Sequence, residues 1–314
     1  MHLDFVSSEC FNSTAPTELS ILTATFSCLF LIVTIPSNLL VCLAVIIDPN
    51  RELRTQFNCF TFNLALADLT VGCITEAIFV YYHINESMDR EFGHHIDAFM
   101  QKISHIPFLI TAVASALTIA ALALERYLAV TSPFCYRQYF DVQLSVVLSI
   151  IIWIVALGFG LLNMVMDYYL QCFIILNSVL LFTGFIVCFA CFKIRKTLRD
   201  ASSNWEEIGM RSTREDGDLN IQKKLTKTFE IMIGALICCY APACAMVYYM
   251  SVCEDCNCEV VQWFRDALAW LIVLNSAINP FIYAFRNVSF RSAVNIIIRC
   301  QCRHRQTTTL HNVF

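Results

Sequence analysis

The residues with chemical potential in this chain lie inside apolar runs. Asp68 closes the segment Asn63-Leu64-Ala65-Leu66-Ala67-Asp68, and Asn275, Ser276 and Asn279 sit just ahead of Pro280 and Tyr283. Asn38 interrupts a third apolar run and Ser115 a fourth. A carboxylate in the hydrocarbon core costs at least ~3 kcal/mol, so it faces a bundle interior, a partner or a hydrated cavity. These residues are therefore read as one internal site shared by several helices. The competing reading is a scatter of Ser and Asn bonded back to their own helices. It suits Ser115 or Ser276 taken singly far better than Asp68. Arg126 is a second focus, because a guanidinium cannot lose its charge and needs an acidic neighbour or water. Pro242 and Pro280 each remove a backbone hydrogen bond within an apolar run, which makes a hinge at each.

The elements that position these groups follow from composition. The AVILMFWYC residues make up 58% of 314 positions and charged residues only 15%, with a mean hydropathy of +0.62. A soluble domain carries roughly 25% charged residues. Seven runs near 20–47, 57–83, 97–130, 142–166, 169–197, 223–251 and 260–284 reach the ~20 apolar residues that a membrane helix needs. The third is the least clean, since Asp97, Lys102 and His105 lie in its first turns. Met1 to Ser20 lacks a basic stretch followed by a short apolar one, so no cleaved leader is expected. The expected fold class is an all-α membrane protein, a seven-transmembrane helix bundle with a short amphipathic C-terminal helix. Its parts are an outer tail (1–19), the bundle (20–285), the amphipathic helix (286–299) and a cytoplasmic tail (300–314).

Charge sets the orientation. Lys and Arg total 21, and only Arg90, Lys102 and Arg265 fall outside the loops 48–56, 131–141, 198–222 and the tail from 285, or the helix ends beside them. Basic residues stay on the cytoplasmic side, so the N-terminus is expected outside. The sequons at Asn12 and Asn85 then face the compartment where glycosylation occurs, while Asn287-Val288-Ser289 does not. Acidic residues such as Glu86, Asp97, Asp167, Glu254 and Asp266 outnumber bases on the outer side, a field that attracts cations or basic peptides. The same imbalance follows from the exclusion of bases alone. The polar loop 198–222 is expected to lack structure beyond helical extensions. Beyond Phe285, Arg286, Phe290, Arg291, Val294, Ile297, Ile298 and Arg299 alternate as in a helix lying on the inner leaflet. Cys300 and Cys302 follow, where palmitoylation adds an anchor or the thiols are idle. Cys10, Cys253, Cys256 and Cys258 on the outer side allow three pairings. The oxidising exterior favours disulfides there over a thiolate metal site.

Taken in order, these motifs resemble the rhodopsin-like (class A) G-protein-coupled receptors over about residues 20–300. The marks are Ser37-Asn38-Leu39-Leu40-Val41, the Asn63–Asp68 segment, Glu125-Arg126-Tyr127, Trp153, Cys239-Tyr240-Ala241-Pro242 and Asn279-Pro280-Phe281-Ile282-Tyr283. The resemblance implies a non-enzymatic receptor in the plasma membrane, multi-pass with its N-terminus extracellular. It couples an external ligand, peptide or small molecule, to a heterotrimeric G protein. Arrestin, a receptor kinase and membrane lipid are the further partners expected, and no nucleic acid. By resemblance Glu125, Arg126, Tyr127 and Tyr283 form the G-protein switch, with Glu125 holding Arg126 at rest. Asp68, Ser115, Asn275, Ser276 and Asn279 form a sodium site, sodium being an allosteric modulator rather than a cofactor and no other metal being implied. Oxygen donors are what a hard cation selects.

The departures narrow the resemblance. Gln101 stands where a third-span Cys is usual, Asp167-Tyr168-Tyr169 is nearly all of the second outer loop, and span five lacks Pro. Tyr240 replaces a Trp, and Gln222 stands where many relatives place an acid that clamps Arg126. With the Cys-rich third outer loop, this resembles the melanocortin receptors and their relatives, which include the adenosine, cannabinoid and lysophospholipid receptors. One pairing compatible with that loop joins Cys253 to Cys258 and Cys10 to Cys256, with others left open. The acidic residues of a melanocortin calcium and peptide site are not matched, and Glu76 lies two residues short of its expected place. Phe108 stands where amine receptors hold an Asp, and Val273 where retinal would attach. Glu76, His105, Phe108, Tyr240 and Asp266 are the candidate ligand-pocket residues. The alternative is a seven-helix ion-coupled transporter or channel using Asp68, against which stand the lack of an internal repeat and the Glu125-Arg126-Tyr127 segment.

Overall fold

Helix boundaries in this chain are set by short polar residues. The computed structural model describes residues 15–88, 98–165, 172–208, 213–253 and 257–311, and every regular element among them is helical. Span one is Thr17–Ile47, span two Gln56–Met88, span three Ala98–Thr131 and span four Val142–Leu161. Span five is a wide turn at Cys172–Leu176 followed by Asn177–Ile208, span six is Thr213–Val252 and span seven Cys258–Arg286. Thr55 caps span two by accepting from the Asn58 N–H, and Asp141 caps span four by accepting from that of Leu144 at 2.8 Å. Asp48 ends span one in the left-handed region at φ 39°, where its carboxylate collects the N–H groups of Glu52 and Leu53. Such side-chain acceptors satisfy amides that a helix start leaves open.

Among the described residues, six of the seven are long and apolar enough to cross a membrane by length and composition. Burial orders them: 72% of the most apolar window of span three is buried, against 17% in span five and 28% in span four. Span three is therefore the central post, and Ile150, Ile151, Ile154 and Leu157 of span four point outward as a lipid-facing surface. Span two packs so closely on span one that a Cβ on Gly72 would meet the Ile35 side chain at 2.9 Å. Gly160 of span four similarly receives Ile110 of span three. Span two also contains a π turn at Val71–Glu76.

Two elements complete the inner side. A short helix, Pro133–Tyr139, follows span three. A C-terminal helix runs Val288–His311, past the expected end at 299, and Asn287 caps it by accepting from Ser289. Phe290, Ala293 and Ile297 form one buried stripe in the bundle's main core with Phe57, Phe60 and Leu53. Its apolar stripe thus packs on the protein, while Val288 and Ile298 remain exposed. Helical extensions of spans five and six take up the loop 198–222 apart from residues 209–212, which lie outside the description.

Candidate functional site

At the inner end of span three, Arg126 and Glu125 form a buried ion pair through two guanidinium nitrogens. The short inner helix brings Tyr136 over this pair, and its hydroxyl donates to Glu125 Oε1. Burial, and next the adjacent Glu125 carboxylate, push the Tyr136 phenol well above its ordinary range, so it stays a donor. The Arg126 guanidinium lies 4.9 Å from the centre of the Phe57 ring of span two, an attractive face for a cation. Its Nη1 has no hydrogen-bond partner among the described residues. Tyr127 turns away and packs on Phe189 of span five with ring centres 5.7 Å apart. Tyr136 and Phe57 were not singled out from the sequence. Tyr136 had a signal, a phenol one short loop away from a Glu-Arg pair, but no periodicity predicts which way that loop folds.

Midway through the bundle, Asp68 is fully buried, and Asn279 of span seven donates to its Oδ2 at 2.8 Å. Asn38 of span one donates to the Ser276 carbonyl at 3.2 Å, which ties spans one and seven. Asn63 donates to Thr118 of span three at 2.7 Å and accepts from the Trp153 indole of span four at 2.8 Å. Four spans are thus bonded through the side chains of the Asn63–Asp68 segment. Ser115, Asn275 and Ser276 are buried as well. Asp68 Oδ1 and Asn38 Oδ1 have no hydrogen-bond partner among the described residues. Pro242 and Pro280 lie within continuous helices, the hinge positions the sequence suggests.

The outer end carries a network that sequence reading missed. Arg265 of span seven donates to Asp266 at 2.8 Å and approaches Glu86 of span two at 3.8 Å. Thr23 of span one donates to the other Asp266 oxygen at 2.8 Å, and Ser20 to Glu86 at 3.0 Å. His83 lies 3.2 Å from Glu86, and Tyr82 donates to it at 3.4 Å. Glu86 and Asp266 therefore spend much of their charge inside the protein rather than on an open acidic face. Asp266 is a tie between spans here. Glu76 is fully buried, and neither carboxylate oxygen has a hydrogen-bond partner within bonding geometry among the described residues. Phe108 is buried with Leu109 and Ile272 in an apolar cluster. His105 and Tyr240 are half-buried, and Tyr240 packs against the main core.

Cys253 and Cys258 are both disulfide-bonded. Cys10, Asn12, Cys256 and the second outer loop lie outside the described residues, as do the side chains of Gln101, Gln222, Tyr283, Cys300 and Cys302. Asn85 lies on the outer end of span two, its side-chain amide donating to the Tyr81 carbonyl.

Comparison with known proteins agrees with this geometry. Residues 37–283 match the family described as 7 transmembrane receptor (rhodopsin family). The chain is 27% identical over 305 residues to the histamine H2 receptor of Canis lupus familiaris, covering 90% of this chain and 81% of that receptor. The human (Homo sapiens) histamine H2 receptor is 26% identical over 329 residues, with 96% and 85% covered. Cannabinoid receptor 1 of Xenopus laevis is 25% identical over 329 residues, with 92% and 65% covered. The protein is thus a non-enzymatic, multi-pass plasma-membrane receptor that joins an external ligand to a heterotrimeric G protein, and the transporter alternative is not favoured. With the family match spanning most of the chain and the Glu125–Arg126 pair in place at its inner end, the chain belongs to the rhodopsin family of seven-transmembrane, G-protein-coupled receptors.

Proposed function

We propose that an extracellular ligand, peptide or small molecule, shifts this receptor from a closed arrangement to one that frees Arg126 for a G protein. The observation that carries the reading is the buried Glu125–Arg126 pair held by Tyr136. It gives the closed state contacts that an opened inner face loses, and differential contacts are what a population shift requires. Pro242 and Pro280 supply the hinges, with Tyr283 completing the switch at the inner end of span seven. The N-terminus faces outward, in keeping with the distribution of Lys and Arg.

The ligand is not anchored as an amine at span three, because Phe108 stands in an apolar cluster at that place. The histamine receptors among the relatives therefore do not pass their ligand to this chain by that residue. Glu76, His105, Phe108, Tyr240 and Asp266 remain the proposed lining, and the departures shared with the melanocortin–cannabinoid group support a site of different chemistry. Asp68, Ser115, Asn275, Ser276 and Asn279 supply oxygen donors, and the unpartnered Asp68 Oδ1 fits a sodium ion there. Bound sodium adds a positive charge that offsets the buried carboxylate. Palmitoyl groups on Cys300 and Cys302, glycans on Asn12 and Asn85, and arrestin and a receptor kinase at the inner face complete the proposal.

The test is a second-messenger assay in cells, first without ligand and then against a ligand library, with Arg126→Ala beside the natural receptor. Loss of G-protein activation at matched surface expression is expected. Full signalling from a well-expressed Arg126→Ala variant removes the central assignment.

A further inference from the structure

Among the described residues, Glu76 stands apart from the other buried carboxylates. Asp48, Asp68, Glu125 and Asp266 each have an oxygen bonded to a neighbouring group. Glu76 closes the π turn of span two and is 0% exposed, yet neither of its oxygens has a hydrogen-bond partner among the described residues. The charged side chain that acts on it is Asp68, a second anion. A buried carboxylate in that position lacks the compensation that its charge requires.

Thr34 of span one meets it across a close helix contact. Gly72, one turn inward of Glu76, lets the spans approach until a Cβ there would lie 3.3 Å from the Thr34 methyl carbon. The Thr34 hydroxyl stands beside Glu76 without a bond of normal geometry. It too is 0% exposed and has no partner among the described residues. A carboxylate and a hydroxyl from two spans thus share one enclosed place, and both offer oxygen, the donor that a hard cation selects. Among the described residues no three His, Cys, Asp or Glu side chains gather as a metal centre, so the set suits one positive charge rather than two. The buried stripe of span one continues the polar surroundings, through Ser27, Thr23 and Ser20 outward and Asn38 inward.

We propose that Glu76 and Thr34 hold a sodium ion at a second site, outward of the one proposed at Asp68. It rests on the same cation chemistry as that site but not on its occupancy. With the ion in place, span two presents a neutral rather than an anionic wall to the proposed ligand site. The two carboxylates stand eight residues apart, about 12 Å along the helix. At that separation and an effective dielectric constant of about 20, each charge changes the other's cation affinity about tenfold. Glu76 and Thr34 lie on spans one and two, away from the hinges at Pro242 and Pro280. The ion is therefore read by binding rather than by signalling, and the sodium effect on signalling stays with Asp68.

The experiment uses the full-length receptor in phosphatidylcholine nanodiscs at neutral pH. Sodium NMR relaxation follows binding as sodium chloride replaces N-methyl-D-glucamine chloride at constant ionic strength. The natural receptor is expected to bind two ions in steps. Asp68→Asn and Glu76→Gln should each bind one, the remaining site about tenfold weaker for lack of the other anion. Thr34→Val keeps the side chain's shape, removes the hydroxyl and should weaken one of the two steps severalfold. A single ion that disappears in Asp68→Asn and persists in Glu76→Gln overturns the site and leaves the Asp68 reading intact, Glu76 then carrying a proton. The reverse pattern upholds the site and removes the Asp68 reading. Two ions in Glu76→Gln, or none in the natural receptor, overturn the proposal. Where Glu76→Gln fails to fold, Thr34→Val decides the matter, and binding unchanged from the natural receptor overturns it.

Discussion

Replacing Tyr136 by Phe removes one hydroxyl and leaves the ring, which stacks on Phe140 at 5.5 Å between centres. The lost bond is that to Glu125, the carboxylate paired with Arg126. A hydrogen bond to a charged group contributes about 1.5–3 kcal/mol. An intermediate ~2 kcal/mol changes an equilibrium roughly thirtyfold. A receptor resting with about 1% in the open arrangement, within the usual range for a minor state, would then have about a quarter open without ligand. Basal second-messenger production in cells expressing Tyr136→Phe should therefore rise by an order of magnitude or more at matched surface density. A Glu125→Gln variant should move the same way, because it weakens the same clamp from its other side. Unchanged basal signalling in both, with ligand-stimulated signalling intact, would refute the idea that this cluster holds the closed state.

Three further outcomes are expected. Sodium should favour the closed state of the natural receptor, and Asp68→Asn should remove that effect; equal sodium sensitivity of the two leaves Asp68 a hydrogen-bonding residue only. Arg265→Gln strands Glu86 and Asp266 in a partly buried network, so its surface expression should fall well below that of Arg195→Gln, which breaks an exposed pair; similar expression of the two shows that the outer network contributes little. Cys10→Ser is expected to lower surface expression or ligand response more than Cys172→Ser, since a link from the tail closes a long loop; mass spectrometry of the unreduced protein finding Cys10 as a free thiol rules this out.

The bundle was legible because lipid imposes long apolar helices and leaves few other solutions. The span limits follow from apolar run lengths to within a few residues, except that spans five and six continue as polar helices beyond the hydrocarbon. Asp68 and Asn279 were legible for the same reason, since polar atoms in hydrocarbon must meet each other. The outer network was not. Glu86, Arg265 and His83 lie near helix ends where water is an equally good partner, so their types and spacing carry no signal of pairing. Tyr136 and the Phe290–Ala293–Ile297 stripe were hidden differently. Both depend on how short inner segments fold back on the bundle, which hydrophobic periodicity describes only as a face without an address. Asp266 illustrates this: the sequence suggests a pocket acid, and the bonds to Thr23 and Arg265 that the structure adds carry no signal in the sequence.

The π turn at Val71–Glu76 has a consequence for how span two tolerates changes in length. On a regular helix Asp68 and Glu76, eight residues apart, would point about 80° away from each other. A π turn accommodates one surplus residue without turning the outer half, so the two are within about 20° of one face. Deleting a residue such as the exposed Cys73 relaxes the wide turn to an ordinary one and keeps the outer half in phase. Deleting one residue between Gln56 and Thr70 instead rotates everything inward of the deletion against everything outward by about 100°. That carries Glu76, His83 and Glu86 off their interior face toward lipid. Span two is therefore two rigid rods with a single joint of spare length, and only at that joint can it lose a residue without changing which side chains face the bundle.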